Sequence, residues 1–225
     1  MFKNIEAIFF DLDGTLVDSV PDLAVAVDSM MGQLGLPPRG EHKVRQWVGN
    51  GAENLIRRAL ADDFAGNVAA DQVAAARPLF EAAYQDNLCL HSRLYPGVLD
   101  GLNALQDNGL SLACITNKPA RFAEPLVDKL GIGHFFKAVL GGECAPNRKP
   151  APDALFMTAQ RLNVAIERVL MVGDSKNDVG AARNAGCPVV AVPYGYNHGE
   201  DIRSAQPDVV IESLTELAKL IGTVN

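Results

Sequence analysis

The sequence predicts an α/β fold in which a parallel sheet is covered by helices and one all-helical segment is inserted after the first strand. Three observations lead to this prediction. Short apolar runs end abruptly at polar residues or glycine, helical stretches follow most of these runs, and one long region carries helical patterns without a strand-like run. Strands that are apolar at nearly every position are typical of a parallel sheet buried on both faces.

Five apolar runs are predicted to form the strands of this sheet. The first ends at Asp11 and Gly14, where a loop must begin, and the others end at comparable polar or turn-forming residues. The predicted strands cover residues 8–10, 111–115, 138–140, 169–172 and 189–192.

Helical patterns alternate with the later strands. Gly109, Gly131 and Gly186 stand where three of these helices should end, because glycine readily adopts the left-handed conformation that closes a helix. The predicted helices cover residues 98–108, 121–130, 153–162 and 178–185. This order of elements indicates a Rossmann-like core with a parallel sheet.

Residues 17–90 break the alternation, because they contain only helical patterns. These patterns fall at residues 23–34, 43–48, 53–60 and 69–87. We therefore predict a catalytic core formed by residues 1–16 and 91–225, and a helical cap domain formed by residues 17–90.

The composition argues against several classes of function. The chain of 225 residues has a net charge of −7 at pH 7, whereas nucleic acids are bound through a surplus of Lys and Arg. No apolar run reaches the roughly 20 residues that span a bilayer. The four cysteines show no CxxC spacing, and the N-terminal residues do not resemble a signal peptide. We expect a cytoplasmic protein, either a monomer or a homodimer, with no nucleic-acid or membrane partner.

Polar side chains cluster at the predicted carboxyl ends of the strands, where open parallel sheets bind their ligands. The candidates at strand ends, or in the loops that follow them, are Asp11, Asp13, Thr116, Lys149, Asp174 and Asp178. Two carboxylates spaced as Asp11 and Asp13 can face one ligand, and unequal surroundings give them different protonation states. One of them can attack while the other donates a proton.

The same cluster predicts a divalent cation. A cation held by Asp11 and Asp174 would keep Asp11 ionised and neutralise the charge of a phosphate ester. Lys149 and the hydroxyl of Thr116 would surround the phosphate oxygens. Carboxylate ligands favour Mg²⁺ over Zn²⁺.

Four motifs in this order resemble those of the haloacid dehalogenase superfamily. The matching strings are Asp11-Leu12-Asp13-Gly14-Thr15, Thr116-Asn117, Lys149-Pro150 and Gly173-Asp174-Ser175-Lys176-Asn177-Asp178. The resemblance covers nearly the whole chain, including the helical cap. It implies a phosphatase in which Asp11 is the nucleophile and Asp13 the general acid and base.

The resemblance also implies roles for the remaining candidates. Phosphate would be bound by Thr116, Asn117 and Lys149. Mg²⁺ would be bound by Asp11, Asp174 and the backbone carbonyl of Asp13, with Asp178 supporting the metal site. Taken alone, Asp178 is also explained as a favourable charge at a helix N-terminus.

Further strings are similar to those of bacterial phosphoglycolate phosphatases. They are Asp18-Ser19-Val20-Pro21-Asp22-Leu23, Val48-Gly49-Asn50-Gly51-Ala52 and Tyr194-Gly195-Tyr196-Asn197-His198-Gly199. By analogy with cap-bearing relatives, the Gly49-Asn50-Gly51 turn would lie over the active site and select the leaving group, assisted by Arg45. A simple loop between cap helices explains this turn equally well.

The expected substrate is a small phosphorylated metabolite, with 2-phosphoglycolate as the leading candidate. One alternative is a phosphatase or phosphomutase acting on another small phosphate, such as a sugar phosphate. A second alternative is a receiver-type signalling module, which also combines a phosphorylated aspartate, an acidic pair, a hydroxyl and a lysine. Receiver modules lack a large helical cap, and their phosphorylated aspartate follows a middle strand.

Overall fold

The computed structural model describes residues 2–221. Met1 and residues 222–225, which the sequence analysis assigns to the core, lie outside the described residues. Within 2–221, a parallel sheet lies between two layers of helices and a separate group of helices covers the loops at one end of the sheet. Among the helices of this range, none combines the length and apolar character that a membrane span requires.

The strands of the described chain form two sheets. They are β1 Ala7–Phe10, β2 Val17–Asp18, β3 Arg93–Leu94, β4 Ser111–Ile115, β5 Phe136–Leu140, β6 Val169–Gly173, β7 Val189–Ala191 and β8 Val209–Val210. The main sheet is parallel and has the order β5-β4-β1-β6-β7-β8. The chain continues from β1 to β4 and β5 on one side and then crosses to β6 on the other. The carboxyl end of β1 is therefore the switch point at which such sheets bind ligands.

The helices divide between the core and the inserted segment. They are α1 Val20–Gln33, α2 Gly40–Trp47, α3 Ala52–Ala61, α4 Ala70–Asn87, α5 Val98–Asp107, α6 Ala120–Lys129, α7 Asp153–Leu162, α8 Lys176–Ala185 and α9 Leu217–Leu220. Helices α1–α4 form the cap, in which α1 packs mainly against α4 and α2.

Alternation along the central strand separates two apolar layers. Ile8 and Phe10 of β1 point into the layer that contains α5 and α6, whereas Ala7 and Phe9 point into the layer that contains α7 and α8. All four side chains are buried. Because both faces are covered, β1 is held firmly, and the loop that begins at Asp11 starts from a fixed point.

The predicted fold class is confirmed, with three strands added that the sequence analysis does not predict. β2 and β3 pair antiparallel where the chain enters and leaves the cap helices. β8 extends the main sheet beyond β7. Each of these strands has only two residues, which is too short to give an apolar alternation.

Candidate active site

Asp11 lies at the switch point of the sheet. Its backbone N–H donates to the Val172 carbonyl at 2.9 Å, which continues the pairing of β1 with β6 by one residue. On the other side of β1, the Thr116 N–H donates to the Leu140 carbonyl at 3.0 Å. The ends of β1, β4 and β6 therefore bring Asp11, Thr116 and the loop after Gly173 to one edge of the sheet.

Lys149 joins the acidic residues at this edge. Its ammonium group lies 2.8 Å from Asp11 Oδ1 and 2.7 Å from Asp178 Oδ1, and it also donates to the Ile115 carbonyl at 2.7 Å. The contacts with Asp178 and Ile115 are hydrogen bonds, whereas Asp11 Oδ1 is an ion-pair partner that accepts no hydrogen bond within residues 2–221. Burial alone lowers the pKa of Lys149, but Asp11 and Asp178 outweigh it and raise that pKa above its usual value. Lys149 is therefore a permanent cation.

The loop after β6 holds two further carboxylates. Asp178 accepts from the N–H and the hydroxyl of Ser175, at 3.1 and 2.7 Å, in a capping box at the start of α8. Asp174 accepts from the Thr15 hydroxyl at 2.8 Å and from the Tyr196 N–H at 2.6 Å. Gly14 has a φ of +93°, and a Cβ there would lie 2.2 Å from Asp174 Oδ2, so this position requires glycine.

The residues present fit a divalent cation. Asp11, Asp174 and Asp178, the acidic cluster, are buried and offer carboxylate oxygens within 4.8 Å of one another. Burial raises the pKa of Asp11 to about 7, against the opposing effect of Lys149, and burial followed by the Asp11 charge raises the pKa of Asp174. Lys149 therefore neutralises only part of the negative charge of these three buried carboxylates. A dication bound by their oxygen atoms would supply the remaining positive charge.

The loop after β4 supplies Thr116 and Asn117. Thr116 Oγ1 accepts from the Lys118 N–H at 3.1 Å, so its own hydrogen is left to donate to a ligand. The Asn117 side chain accepts from the Lys149 N–H at 3.0 Å and donates to the Lys149 carbonyl at 3.1 Å. Asn117, which the sequence analysis assigns to phosphate binding, therefore uses its side chain to position Lys149.

Asp13 is paired with a lysine that the sequence analysis does not single out. Lys118 Nζ lies 3.0 and 3.2 Å from the two carboxylate oxygens of Asp13, and the Ser19 hydroxyl donates to Asp13 Oδ1 at 2.5 Å. The Lys118 side chain is only 4% exposed. The signal available was its position directly after the Thr116-Asn117 motif, although a single lysine at a helix start is usually a solvated charge.

A small cavity of about 50 Å³ lies between these residues and the cap. Its core end is formed by Asp11, Asp13, Thr116, Lys149 and Asp178. Its opposite side, the cap wall, is formed by Leu23, Val48, Leu55, Phe80 and Tyr84. The cap wall is apolar except for the Tyr84 hydroxyl, which finds no hydrogen-bond partner among residues 2–221.

Only part of the Gly49-Asn50-Gly51 turn lines the cavity. Gly49 and Gly51 line it, and the Gly49 carbonyl accepts from Asn177 at 3.2 Å and from Asn117 at 3.4 Å. Asn50 does not line it, because its side chain accepts from Arg58 within the cap at 3.0 Å. Arg45 also lies elsewhere, paired with Asp18 at 3.1 Å and Glu41 at 2.8 Å.

The 194–199 segment connects the acidic cluster with the cap. Besides the Tyr196 N–H on Asp174, the Tyr196 hydroxyl contacts Asp18. The Tyr194 hydroxyl donates to the Thr15 carbonyl at 3.0 Å, and His198 Nδ1 lies 3.0 Å from the Gln46 carbonyl. The segment thus holds together the loop at residues 11–15, Asp174 and the end of α2.

Comparisons with known proteins agree with this geometry. A family profile of haloacid dehalogenase-like hydrolases matches residues 5–186. A phosphoglycolate phosphatase of Nitrosococcus oceani is 51% identical over 222 residues, which cover 99% of both chains. The phosphoglycolate phosphatase of Escherichia coli K12 is 43% identical over an alignment of 240 residues, which covers 98% of this chain and 94% of the relative.

A solved structure gives the same result for the fold. The crystal structure of a protein from Haemophilus somnus, described as a predicted phosphoglycolate phosphatase, matches with a TM-score of 0.89 and 38% identity. The match covers 96% of this chain and 98% of the other. With the strand-end cluster, the helical cap and the profile match all in agreement, this chain belongs to the haloacid dehalogenase-like hydrolase family.

Proposed function

We propose that this protein is a Mg²⁺-dependent phosphatase that hydrolyses 2-phosphoglycolate to glycolate and phosphate through a phosphoaspartate at Asp11. The observation that carries the proposal is the bridge formed by Lys149 between Asp11 and Asp178 beside Asp174, at the closed end of the cavity. An anionic ester needs local positive charge, here from Lys149 and from the dication that the buried carboxylates would hold, before a carboxylate can approach its phosphorus atom.

The residues of the chain account for both halves of the reaction. An oxygen of Asp11 forms a bond to phosphorus while the ester bond breaks, and Asp13, which takes up a proton from solvent before this step, gives that proton to the departing oxygen. Asp13 then takes a proton from water as that water attacks the phosphoaspartate. Phosphate leaves, and both Asp11 and Asp13 return to their starting states.

Positive charge at the core end orients the phosphate group. Lys149 is already fixed by its three contacts, so it meets the phosphoryl oxygens without having to reorganise. Thr116 donates the hydrogen that its acceptor role leaves available. Asp11, Asp174 and the backbone carbonyl of Asp13 would hold Mg²⁺, with Asp178 supporting them, and the ion would supply Lewis-acid stabilisation of the phosphoryl oxygens.

One feature of the cavity argues against a sugar. The cap wall is almost entirely apolar, and the several hydroxyl groups of a sugar buried against it would lose hydrogen bonds to water without replacement. The relatives from Nitrosococcus oceani and Escherichia coli are phosphoglycolate phosphatases, which points to the same substrate.

The test is phosphate release with Mg²⁺ across 2-phosphoglycolate and common sugar phosphates, with Asp11→Asn as the control. We expect the highest kcat/KM on 2-phosphoglycolate and no turnover in the control. A sugar phosphate that ranked far above 2-phosphoglycolate would overturn the substrate assignment. Capture of a single equivalent of phosphoryl group without continuous release would instead favour the receiver-type alternative.

A further inference from the structure

Lys118 is a buried cation that the proposed reaction does not use. Its ammonium group faces the Asp13 carboxylate on one side and the ring of Tyr84, 4.7 Å from the ring centroid, on the other. Burying an ammonium group is costly unless a partner compensates it. Apart from positioning Asp13, the proposed steps give no reason for this second lysine in the cavity.

The two lysines that line the cavity, Lys149 and Lys118, differ in their capacity to bind an incoming anion. Lys149 donates to Asp178 Oδ1 and to the Ile115 carbonyl at 2.7 Å and lies 2.8 Å from Asp11 Oδ1, so it has oxygen atoms of the protein on three sides. The hydrogen bonds of Lys118 both go to Asp13, and its other neighbour is Tyr84, whose ring faces the ammonium group and whose hydroxyl lies beside it. A cation–π contact is weaker than a charge-assisted hydrogen bond, so an incoming anion can replace it.

Tyr84 supplies a second donor beside this lysine. The residue is 1% exposed, and its hydroxyl lacks a hydrogen-bond partner in the described part of the chain. A buried hydroxyl without a partner costs about 1–3 kcal/mol, so its retention in the cavity wall points to a ligand. Burial raises the pKa of Tyr84 to about 12, and the hydroxyl therefore keeps its hydrogen at neutral pH.

From this arrangement we infer that Lys118, assisted by the Tyr84 hydroxyl, binds the carboxylate of the leaving group and makes the enzyme selective for phosphate esters of small hydroxy acids. The inference rests on the proposed function, because it takes Asp13 as the group that protonates the ester oxygen. In 2-phosphoglycolate, one methylene group separates that oxygen from the carboxyl carbon. A substrate carboxylate would therefore lie near Asp13, within reach of the Lys118 ammonium group that contacts Asp13.

The geometry is compatible with this contact. Lys118 Nζ is 3.0 Å from Asp13, and a hydrogen bond from Asp13 to the ester oxygen adds about 3 Å. A carboxylate one methylene group away from that oxygen falls within this span. Elsewhere the cap wall offers a carboxylate only apolar contacts, so the cation at position 118 decides whether the charge is accepted.

The test compares two esters that differ in the carboxylate. They are 2-phosphoglycolate and 2-hydroxyethyl phosphate, in which an uncharged hydroxymethyl group replaces the carboxylate. Both need Asp13 to protonate a poor leaving group, so any effect of residue 118 through Asp13 cancels in the ratio of their kcat/KM values. We expect this ratio to be about 10² in the wild type and to fall to about 1 in Lys118→Met.

Two further variants sharpen the result. Lys118→Arg keeps the positive charge and should retain most of the preference for 2-phosphoglycolate. Tyr84→Phe removes only the hydroxyl and should lower the ratio by about fivefold, as expected for one neutral hydrogen bond. Turnover of acetyl phosphate, whose small leaving group needs no protonation, verifies that each variant is folded and binds phosphate.

The outcomes separate the two proposals. If the wild type prefers 2-phosphoglycolate and Lys118→Met keeps that preference unchanged, Lys118 is only a positioning residue for Asp13 and the inference is overturned. If the wild type hydrolyses both esters equally well, the substrate assignment fails, and selection by Lys118 fails with it. Loss of the preference in Lys118→Met supports both.

Discussion

The core end of the cavity and the cap wall are held in different ways. At the core end each charged group has several short polar contacts, as Lys149 does with Asp11, Asp178 and the Ile115 carbonyl. The cap wall consists of apolar helix faces, and its loop meets the core through the Gly49 carbonyl, which accepts from Asn117 and Asn177. The core end is therefore preorganised by charged contacts, whereas the side chains that form the cap wall are held mainly by apolar packing.

This difference suggests that the core end carries out phosphoryl transfer and that the cap side selects the leaving group. Electrostatic stabilisation of a phosphoryl group requires fixed charges that do not reorganise during the reaction. Selection of the leaving group requires a surface that excludes water and accepts one shape and charge. If the division holds, changes at the core end should lower activity on every ester, whereas changes at the cap side should depend on the ester or have small effects.

The largest effect is expected for Asp11→Asn at the core end. An amide cannot replace the anionic nucleophile, so kcat should fall by about 10⁴-fold or more on every ester. Phosphate release under steady-state conditions measures it, with the exposed Asp107→Asn as a matched control that should keep wild-type activity. Multiple turnover by Asp11→Asn at more than a hundredth of the wild-type rate would remove the basis for a covalent mechanism.

Lys149→Met should have the next largest effect. The substitution leaves Asp11 and Asp178 without their shared cation, and breaking a buried ion pair in this way costs about 3–5 kcal/mol of the free energy of unfolding. Loss of the fixed charge should also lower kcat by about 10²-fold. Urea unfolding and steady-state turnover measure the two effects, with exposed Lys137→Met as the control. Unchanged stability would contradict the assigned network.

Mg²⁺ should stabilise the folded protein more strongly at pH 8 than at pH 5. Burial raises the pKa of Asp11 to about 7, so between about pH 4 and 7 the folded state binds more protons than the unfolded chain. Stability in EDTA should therefore decrease as the pH rises through this range. Added Mg²⁺ compensates the ionised carboxylates, and the resulting increase in Tm should reach several degrees at pH 8. Equal increases at both pH values would contradict the metal site.

The smallest effect is expected at the cap loop. Asn177→Ala removes one hydrogen bond to the Gly49 carbonyl, a change of about 1 kcal/mol. We expect kcat/KM to fall by about fivefold through an increase in KM, because the loop closes less firmly over the substrate. Asn184→Ala is a matched control on the same helix, since Asn184 also donates to a backbone carbonyl, that of Pro150. A loss of 10³-fold in Asn177→Ala would place part of the chemistry at the cap side.

The core end could be predicted from sequence because its residues occur in short strings at strand ends. Asp11, Thr116 and Asp174 each follow an apolar strand, and parallel strands bring their carboxyl ends to one edge of a sheet. Local patterns therefore determine which residues meet, although the strands are far apart in the chain. The family resemblance and the fold class are both confirmed by the comparisons.

The cap side could not be predicted in the same way. Tyr84 reaches the cavity from the last turns of α4, and its sequence pattern does not distinguish a cavity-lining aromatic residue from a packing residue. Arg45 shortly precedes the Gly49-Asn50-Gly51 turn in the sequence, but its guanidinium group pairs with Asp18 and Glu41 instead of facing the cavity. Which face of a cap helix meets the core depends on how the cap packs, and no single motif encodes it.

The central claim is that Asp11 carries the phosphoryl group during turnover. The most direct measurement is to quench the enzyme with acid within milliseconds of mixing it with Mg²⁺ and 2-phosphoglycolate, reduce it with borohydride, and sequence the peptides by mass spectrometry. A phosphoaspartate is reduced to homoserine, so we predict homoserine at position 11 in the wild type and none in Asp11→Asn. Homoserine at position 13 would contradict the account. So would the absence of homoserine from an enzyme preparation that hydrolyses 2-phosphoglycolate before the quench.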